Sequence, residues 1–599
     1  MVTQVPYGSL TSVEQSLVGH VSRGEWLDLA ADDEVVDQAA MQSWGESRTC
    51  RATVIRDILR GRFAADPDPH GLRLRGARIT GRIDLEILTT EVNFELEDCL
   101  LEEGLFAQDA QLASLSLTRC QLEHPTEPPL DAARLTCGVL ALEGARIIGH
   151  AEAGAVRLTG AHIGGDLDCT GAVLVNDSGP ALYAGRLQVG QAMYLSDGFT
   201  TTGAGDDGAV NLVGAHIGGD LDCTGAVLVN DSGPAVAADR LQVGQDMFLR
   251  NGFTATGAGD LGAVSLSSAG IGGDLDCDGA DLRNDSGPAL YADSLQVGQA
   301  IFLRGGFTAT GVGDNGAVSL RGAGIGGQFD CTGATVRNDS GPALHAGSLQ
   351  VGQDVYLRGG FTATGAGDTV AVALTGAQVG ATLVFDPARL EHAADPHRRL
   401  AVDGLTYAGV PEPISARDWL DLLRNGTPGY AAQPYQQLAA GYRALGDERQ
   451  AREILMKQRD GQLTRTDPRP WWPERLWGKI TKITLGYGYQ PWRALLFLAA
   501  VVALSCVLAV ALGSHGALAQ TGSTATPGQP CTLLQQVTVG LDLNLPIGRS
   551  VAREQCDLAK ESASAAAAWL TATGWVLQLL AWVFAALFIA GFTSAVRKT

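Results

Sequence analysis

From Ala161 to Leu383 the chain repeats itself every 54 residues, and each period divides into two unequal halves. Ile-Gly-Gly-x-Leu-Asp-Cys starts at Ile163, Ile217 and Ile271, and the variant Ile-Gly-Gly-Gln-Phe-Asp-Cys starts at Ile325. Val-Gly-Gln-x-x-x-Leu starts at Val189, Val243, Val297 and Val351, with a degenerate copy at Val379, so the anchors alternate in steps of 26 and 28 residues. A fixed period of this size builds a stacked array, in which each unit buries its apolar side on its neighbours. Within a unit the pattern alternates in twos: Ile163, Gly165, Leu167 and Cys169 point one way, Asp166 and Asp168 the other. Turn segments, Asn176-Asp-Ser-Gly-Pro and Gly203-Ala-Gly-Asp, punctuate the strands, and no helical period survives in the region. The expected fold is mainly β, a parallel β-solenoid of 26/28-residue coils about 4.8 Å apart.

Stacking such coils defines columns. One inward column runs Leu167, Met193, Leu221, Met247, Leu275, Ile301, Phe329, Val355, and the next runs Cys169, Leu195, Cys223, Leu249, Cys277, Leu303, Cys331, Leu357. The cysteines in that column lie two coils apart, about 9.6 Å, beyond disulfide reach, and are read as small buried hydrophobes. The outward column runs Asp168, Tyr194, Asp222, Phe248, Asp276, Phe302, Asp330, Tyr356. Its aromatic residues hold the carboxylates one full coil apart, which limits repulsion between like charges. Both turn types are expected on one edge of successive coils, where the two extra residues of the longer unit also sit.

The flanks differ. Residues 1–70 carry helical spacing in Ser12-Val-Glu-Gln-Ser-Leu-Val and Cys50-Arg-Ala-Thr-Val-Ile-Arg-Asp-Ile-Leu, and are expected to cap the first coil at Leu72-Arg-Leu-Arg-Gly-Ala-Arg-Ile. The solenoid is expected over 71–390, irregular up to Ile148. Residues 391–491 read as a helical hairpin, Tyr435 to Leu455 closed at Leu445-Gly-Asp, followed by a juxtamembrane segment. Residues 492–599 form a two-span module: Ala494–Leu512 and Thr571–Ala595 are each long enough to cross about 30 Å of hydrocarbon. Arg475, Lys479, Lys482 and Arg493 precede the first span, and Arg597 and Lys598 follow the second. Positive charge favours the cytoplasmic side, so a multi-pass protein of the plasma membrane with both termini cytoplasmic is expected. The loop 513–570 is then outside, and holds Cys531 and Cys556, which in an oxidising compartment either form a disulfide or stay two small unpaired residues. Cys506, mid-span, is read as inert. Met1 to His20 lacks the basic start and apolar run of a signal peptide.

The formal charge is −22, and Ala151 to Leu390 holds 25 acidic residues against 10 Arg, with no Lys before Lys457. No basic stripe exists to displace counterions, which excludes nucleic acid as a partner of the long surface. Three segments, Gly203 to Gly208, Gly257 to Gly262 and Gly311 to Gly316, spell G-x-G-x-x-G. A dinucleotide site needs a following helix whose N-terminus receives pyrophosphate, whereas these are solenoid turns between strands. Asp206, Asp260, Asp314 and Asp368 recur on one edge, too sparse for calcium, which wants six to eight oxygens. His162, His216, His345, His392 and His397 show no ligand spacing. No catalytic, cofactor or metal residues are assigned. Two segments carry letters of a potassium-channel filter. Thr484-Leu-Gly-Tyr-Gly-Tyr-Gln-Pro precedes the first span, and Thr538, Val539, Gly540, Leu541 and Asp542 lie between the spans, where a pore loop belongs.

Taken with Leu72-Arg-Leu-Arg-Gly-Ala-Arg-Ile, the Asn-Asp-Ser-Gly-Pro-Ala-Leu repeats, Gln433-Pro-Tyr-Gln-Gln-Leu-Ala-Ala-Gly-Tyr-Arg-Ala-Leu-Gly-Asp, Leu485-Gly-Tyr-Gly-Tyr-Gln-Pro and Gly574-Trp-Val-Leu, the chain resembles a group of actinobacterial two-span membrane proteins with a repetitive β-solenoid. Such proteins commonly carry the label "membrane-associated oxidoreductase", so the resemblance implies redox activity, although the residues offer no C-x-x-C, valid dinucleotide turn or haem signature. The chain is also similar to pentapeptide-repeat proteins with ion-channel-like tails. The leading expectation is a membrane-anchored cytoplasmic scaffold without catalysis or cofactor, offering the column from Asp168 to Tyr356 to an unknown protein partner or to a second copy. The alternatives are a membrane-associated oxidoreductase and a degenerate tetrameric channel-like module.

Overall fold

The computed structural model describes residues 9–30, 36–64, 66–465, 471–520, 529–544, 556–558 and 565–598. It divides into two compact units, Met1–Gly446 and Asp447–Thr599.

In the first unit the expected parallel β-solenoid is present. Each coil makes four short strands, so the strands stack into four parallel faces, here A to D, of 14, 14, 13 and 12 strands. One coil runs Leu167–Asp168 on face A, Val173–Asn176 on B, Leu182–Tyr183 on C and Gln188–Val189 on D, before Met193–Tyr194 returns to A. Register follows the sequence columns: Leu167 lies beside Met193, and Asp168 beside Tyr194. The inward side chains are buried, and the eight cysteines from Cys50 to Cys331 are all free and buried. Burial pushes the thiols of Cys169 and Cys223 far above their ordinary range, which suits packing rather than reactivity.

Why the period is two coils and not one follows from core volume. The buried column that enters face B runs Ala172, Phe199, Ala226, Phe253, Ala280, Phe307, Ala334, Phe361. Coils with the small pair Cys169 and Ala172 therefore alternate with coils holding Leu195 and Phe199. Each large ring fills the space that its small neighbours leave, which close packing requires. The corner between faces B and C alternates in the same rhythm. Asn176, Asn230, Asn284 and Asn338 are at most 2% exposed. Asn230 Nδ2 donates to the carbonyls of Gly205 in the preceding coil (3.0 Å) and Pro234 (2.9 Å), while its Oδ1 accepts from the Ser232 N–H (3.1 Å). Gly203 stands beside Asn230 in the preceding coil, and a Cβ on it would meet Ala209 at 2.6 Å. The buried amide and the glycine thus form a second large–small pair.

The corner from D to A is closer still. A Cβ on Gly298 would lie 2.1 Å from the carbonyl oxygen of Gly272, and the same holds within 2.3 Å for Gly190, Gly218, Gly244, Gly326, Gly352 and Gly380. The glycine of each anchor motif is there because backbone packs on backbone.

Helices close both ends. At the N-terminus, the helices α1 (Ser12–Val21) and α2 (Ala52–Leu59) accompany a partial first coil within the same 70 residues. Leu27–Asp28 pairs with the strand at Leu74, and Thr49–Arg51 with Arg78–Thr80, so the solenoid starts before Leu72. The fully buried Glu14 carboxylate ties α1 to this coil, accepting from the N–H of Thr11 (2.9 Å) and from Arg51 N, Nε and Nη2 (3.1, 2.7 and 2.6 Å). Burial pushes this carboxyl up, but the Arg51 side chain and the two backbone N–H groups outweigh it and hold it below the usual range. A depressed carboxyl stabilises above its unfolded pKa of about 4.3 and loses that contribution as pH falls through the lower folded value. Glu14→Gln is expected to weaken the cap by about 1–3 kcal/mol at neutral pH. The low end is favoured because the Arg51 side chain is 38% exposed and can be hydrated. The variant should also lose part of the acid-induced loosening, measured as protease susceptibility of the first 70 residues against pH; an unchanged acid profile would refute the assignment.

At the other end α3 (Ala416–Asn425) and α4 (Gln433–Ala444) cover the last coil. Trp419 is 1% exposed and meets the Phe385 ring edge-on at 5.2 Å. Gln433 and Gln437 donate to the carbonyls of Leu405 and Tyr407, each at 2.7 Å, which satisfies chain ends that no further coil pairs.

The second unit is helical: α5 (Glu448–Arg465), α6 (Trp472–Leu485), a 3-10 turn (Gly486–Gly488), α7 (Trp492–Ser514), α8 (Leu533–Asp542) and α9 (Ala565–Lys598). Within α7 and α9, spans of 23 and 26 residues are long and apolar enough to cross a membrane, with little of either buried. They pack antiparallel: Phe497 stacks on Phe584 at 5.4 Å, and Val501 meets Leu577 and Ala581.

Candidate functional site

Face A carries the outward column, and the same chain geometry builds every copy. Asp168, Asp222, Asp276 and Asp330 each accept, through Oδ1, the N–H two residues on (Thr170, Thr224, Asp278 and Thr332, 2.8–3.0 Å), so the carboxylates also shape the corner from A to B. Asp330 is only 7% exposed and contributes little outward surface. Between these positions stand Tyr194, Phe248, Phe302 and Tyr356.

The sequence columns missed the arginines two residues beyond the rings. Arg250, Arg304 and Arg358 lie over Phe248, Phe302 and Tyr356 at 4.1, 3.9 and 4.6 Å from the ring centres. Arg250 also pairs with Asp276 (2.9 Å), and Arg304 with Asp278 (2.8 Å). The C-terminal part of face A is therefore a mosaic of charge. At the N-terminal coils Asp98 is likewise occupied by Arg75 and Arg119, each at 2.9 Å.

Between those two regions the balance changes. Ser196 occupies the position beside Tyr194 that Arg250 takes beside Phe248, so no guanidinium covers this ring. Asp166, Asp168, Asp220 and Asp222 surround it, and none of the four makes an ion pair among the described residues. Partial burial, then the charges of Asp166, Asp220, Asp168 and Asp222, push the Tyr194 hydroxyl pKa up. Asp166 and Asp220 are held in place from the next coil, accepting the N–H groups of Ala192 and Asp246 at 2.9 Å. The signal was available in the sequence, since of the four ring-bearing coils only that of Tyr194 has Ser, at 196, where the other three have Arg250, Arg304 and Arg358.

The G-x-G-x-x-G segments are turns from face B to face C. Gly205 and Gly208 take φ of +81° and +92°, and a strand follows each turn, Val210–Asn211, Val264–Ser265 and Val318–Ser319. No group of three His, Cys, Asp or Glu suited to a metal ion occurs among the described residues.

In the second unit the pore-like segment is helical. Thr538, Val539, Gly540, Leu541 and Asp542 form the second half of α8, and the carbonyls of Val539 and Leu541 accept the N–H groups of Leu543 and Asn544 inside the helix end. Those carbonyls are not free to line an ion path. Leu545 and Pro546 lie outside the described residues. Gly540 instead lets α8 press on α7: a Cβ there would sit 2.6 Å from Cys506 Cα. Thr484 to Pro491 forms the end of α6 and the 3-10 turn. Cys531 and Cys556 are joined, with Cα atoms 6.2 Å apart, and tie the short strand Cys556–Leu558 to the start of α8.

The arrangement defines a capped parallel β-solenoid joined to a helical unit that holds two helices of membrane-crossing length. Compared with known proteins, the chain matches no family model, no curated protein and no solved structure.

Proposed function

We propose that this protein is a membrane-anchored scaffold of the plasma membrane, with both termini cytoplasmic, whose solenoid docks a cationic protein partner on face A around Tyr194. The carrying observation is the group of four unpaired carboxylates about one partly buried ring. A Lys- or Arg-rich segment would meet charge there and an aromatic surface beneath it. The pre-ordered side chains support the reading, because Asp166, Asp168, Asp220 and Asp222 are already fixed by backbone N–H groups and lose little freedom on binding. Basic residues flanking both apolar helices support the orientation.

The test replaces these four aspartates by Asn in the full chain. Asn keeps the Oδ1 acceptor each corner uses, so thermal stability should move by no more than about 0.5 kcal/mol. Cross-linked partners recovered from cells should include a basic protein that the variant loses, and the difference between the two proteins should shrink as added salt screens the wild-type contact. The same set of partners on both proteins would rule out this face.

A further inference from the structure

The second unit contains a cavity of about 930 Å³ bounded by α5, the turn after α6, the start of α7 and the end of α9. Part of its wall is the Leu485-Gly-Tyr-Gly-Tyr-Gln-Pro segment, and the rest comes from separate helices. Its floor is aromatic and apolar, including Trp492 and Phe592, which are 54% and 55% exposed. Its rim is charged. Lys482 is engaged by Asp460 (2.7 Å) and Arg452 by Glu448 (3.3 Å). Arg449, Lys457 and Arg493 make no ion pair among the described residues and face one unpaired acid, Glu453. A positive excess in a chain of charge −22 marks the rim out. Gln490 adds a second polar demand, since its buried amide oxygen Oε1 has no hydrogen-bond partner.

Resting on the two-span reading above, we infer that this cavity binds the headgroup of an anionic phospholipid at the end of the bilayer where the basic residues gather. Arg449, Lys457 and Arg493, the last also donating from Nη1 to the Lys482 carbonyl (3.5 Å), take the phosphate, the aromatic floor takes the first carbons of the acyl chains, and a headgroup hydroxyl donates to Gln490. The location fits, because Trp492 opens one membrane-length helix and Phe592 ends the other. Interfacial Trp and basic residues are what a headgroup region selects.

The experiment reconstitutes the full chain in phosphatidylcholine vesicles holding about one-tenth phosphatidylglycerol, checks flotation, then releases the protein gently and counts retained lipid by native mass spectrometry. Wild type should retain phosphatidylglycerol selectively. Arg449→Gln/Lys457→Gln/Arg493→Gln should lower that selectivity by about a hundredfold, whereas Glu453→Gln should raise it. All of the replaced side chains are on the rim, and an unchanged helix signal by circular dichroism reports that each variant is folded. Flotation with no preference for phosphatidylglycerol overturns the inference and leaves the membrane reading intact. Failure to float removes both. Displacement of the lipid by inorganic phosphate at equal concentration also overturns it, since the site would then be one for the free anion.

Discussion

Phe253→Ala is expected to destabilise the solenoid by about 3–5 kcal/mol, the largest effect of any single core change considered. The ring is fully buried and its neighbours in the column, Ala226 and Ala280, are too small to fill the void. Because a stacked array is held together by contacts between adjacent coils, the damage should be local as well as large. Limited proteolysis of the full chain should cut near the coil of Phe253, in the middle of the stack, at a temperature where the ends remain protected. The same replacement at Phe361 should loosen the C-terminal end instead. Unfolding curves that coincide with wild type, or a cut pattern confined to the termini, would show that the Phe–Ala alternation does not carry the packing assigned to it.

Cys556→Ser should cost the second unit about 3 kcal/mol, the value expected for a bond that closes 25 residues. The bond sits in a small apolar cluster with Ala517, Leu518, Val539 and Leu570, so few other contacts fix this region. The expected result is a lower melting temperature for the second unit, with the solenoid transition unmoved. The same bond reports the compartment. Protein taken from cells with thiols blocked should show Cys531 and Cys556 protected, and Cys506 and the solenoid thiols still reduced. Finding Cys531 and Cys556 reduced in the cell would place the loop on the reducing side and reverse the proposed orientation.

Much of this fold could be read from the letters because period-two alternation and coil stacking act on the same residues. Leu167, Met193 and Leu221 fall in one inward column whether counted along the chain or seen in register. Other features were hidden for specific reasons. The first coil was taken for part of a helical cap because Leu27–Asp28 is too short to show alternation and α1 and α2 dominate its surroundings. The filter-like letters at Thr538 are local and do not show that the following N–H groups close a helix end there. At the candidate site, the outward carboxylates and rings were legible as a column. The arginines covering Phe248 and Phe302 were not, since they stand two residues beyond each ring, past the end of the strand. Of the cavity in the second unit, only the Leu485 to Pro491 wall was visible as a motif, since Arg449 and Phe592 are brought to it by the packing of separate helices.

Alternation of bulky and slight coils also restricts how such an arm can evolve in length. Excising one slight coil from the middle would bring benzyl groups from two former second neighbours face to face, and excising one bulky coil would leave two amides contending for one corner. Excising two restores every match. Growth and shrinkage by recombination should therefore proceed in double steps, about 9.6 Å of reach at a time, and a gene carrying an odd number of added units would encode a misfit rather than a longer arm.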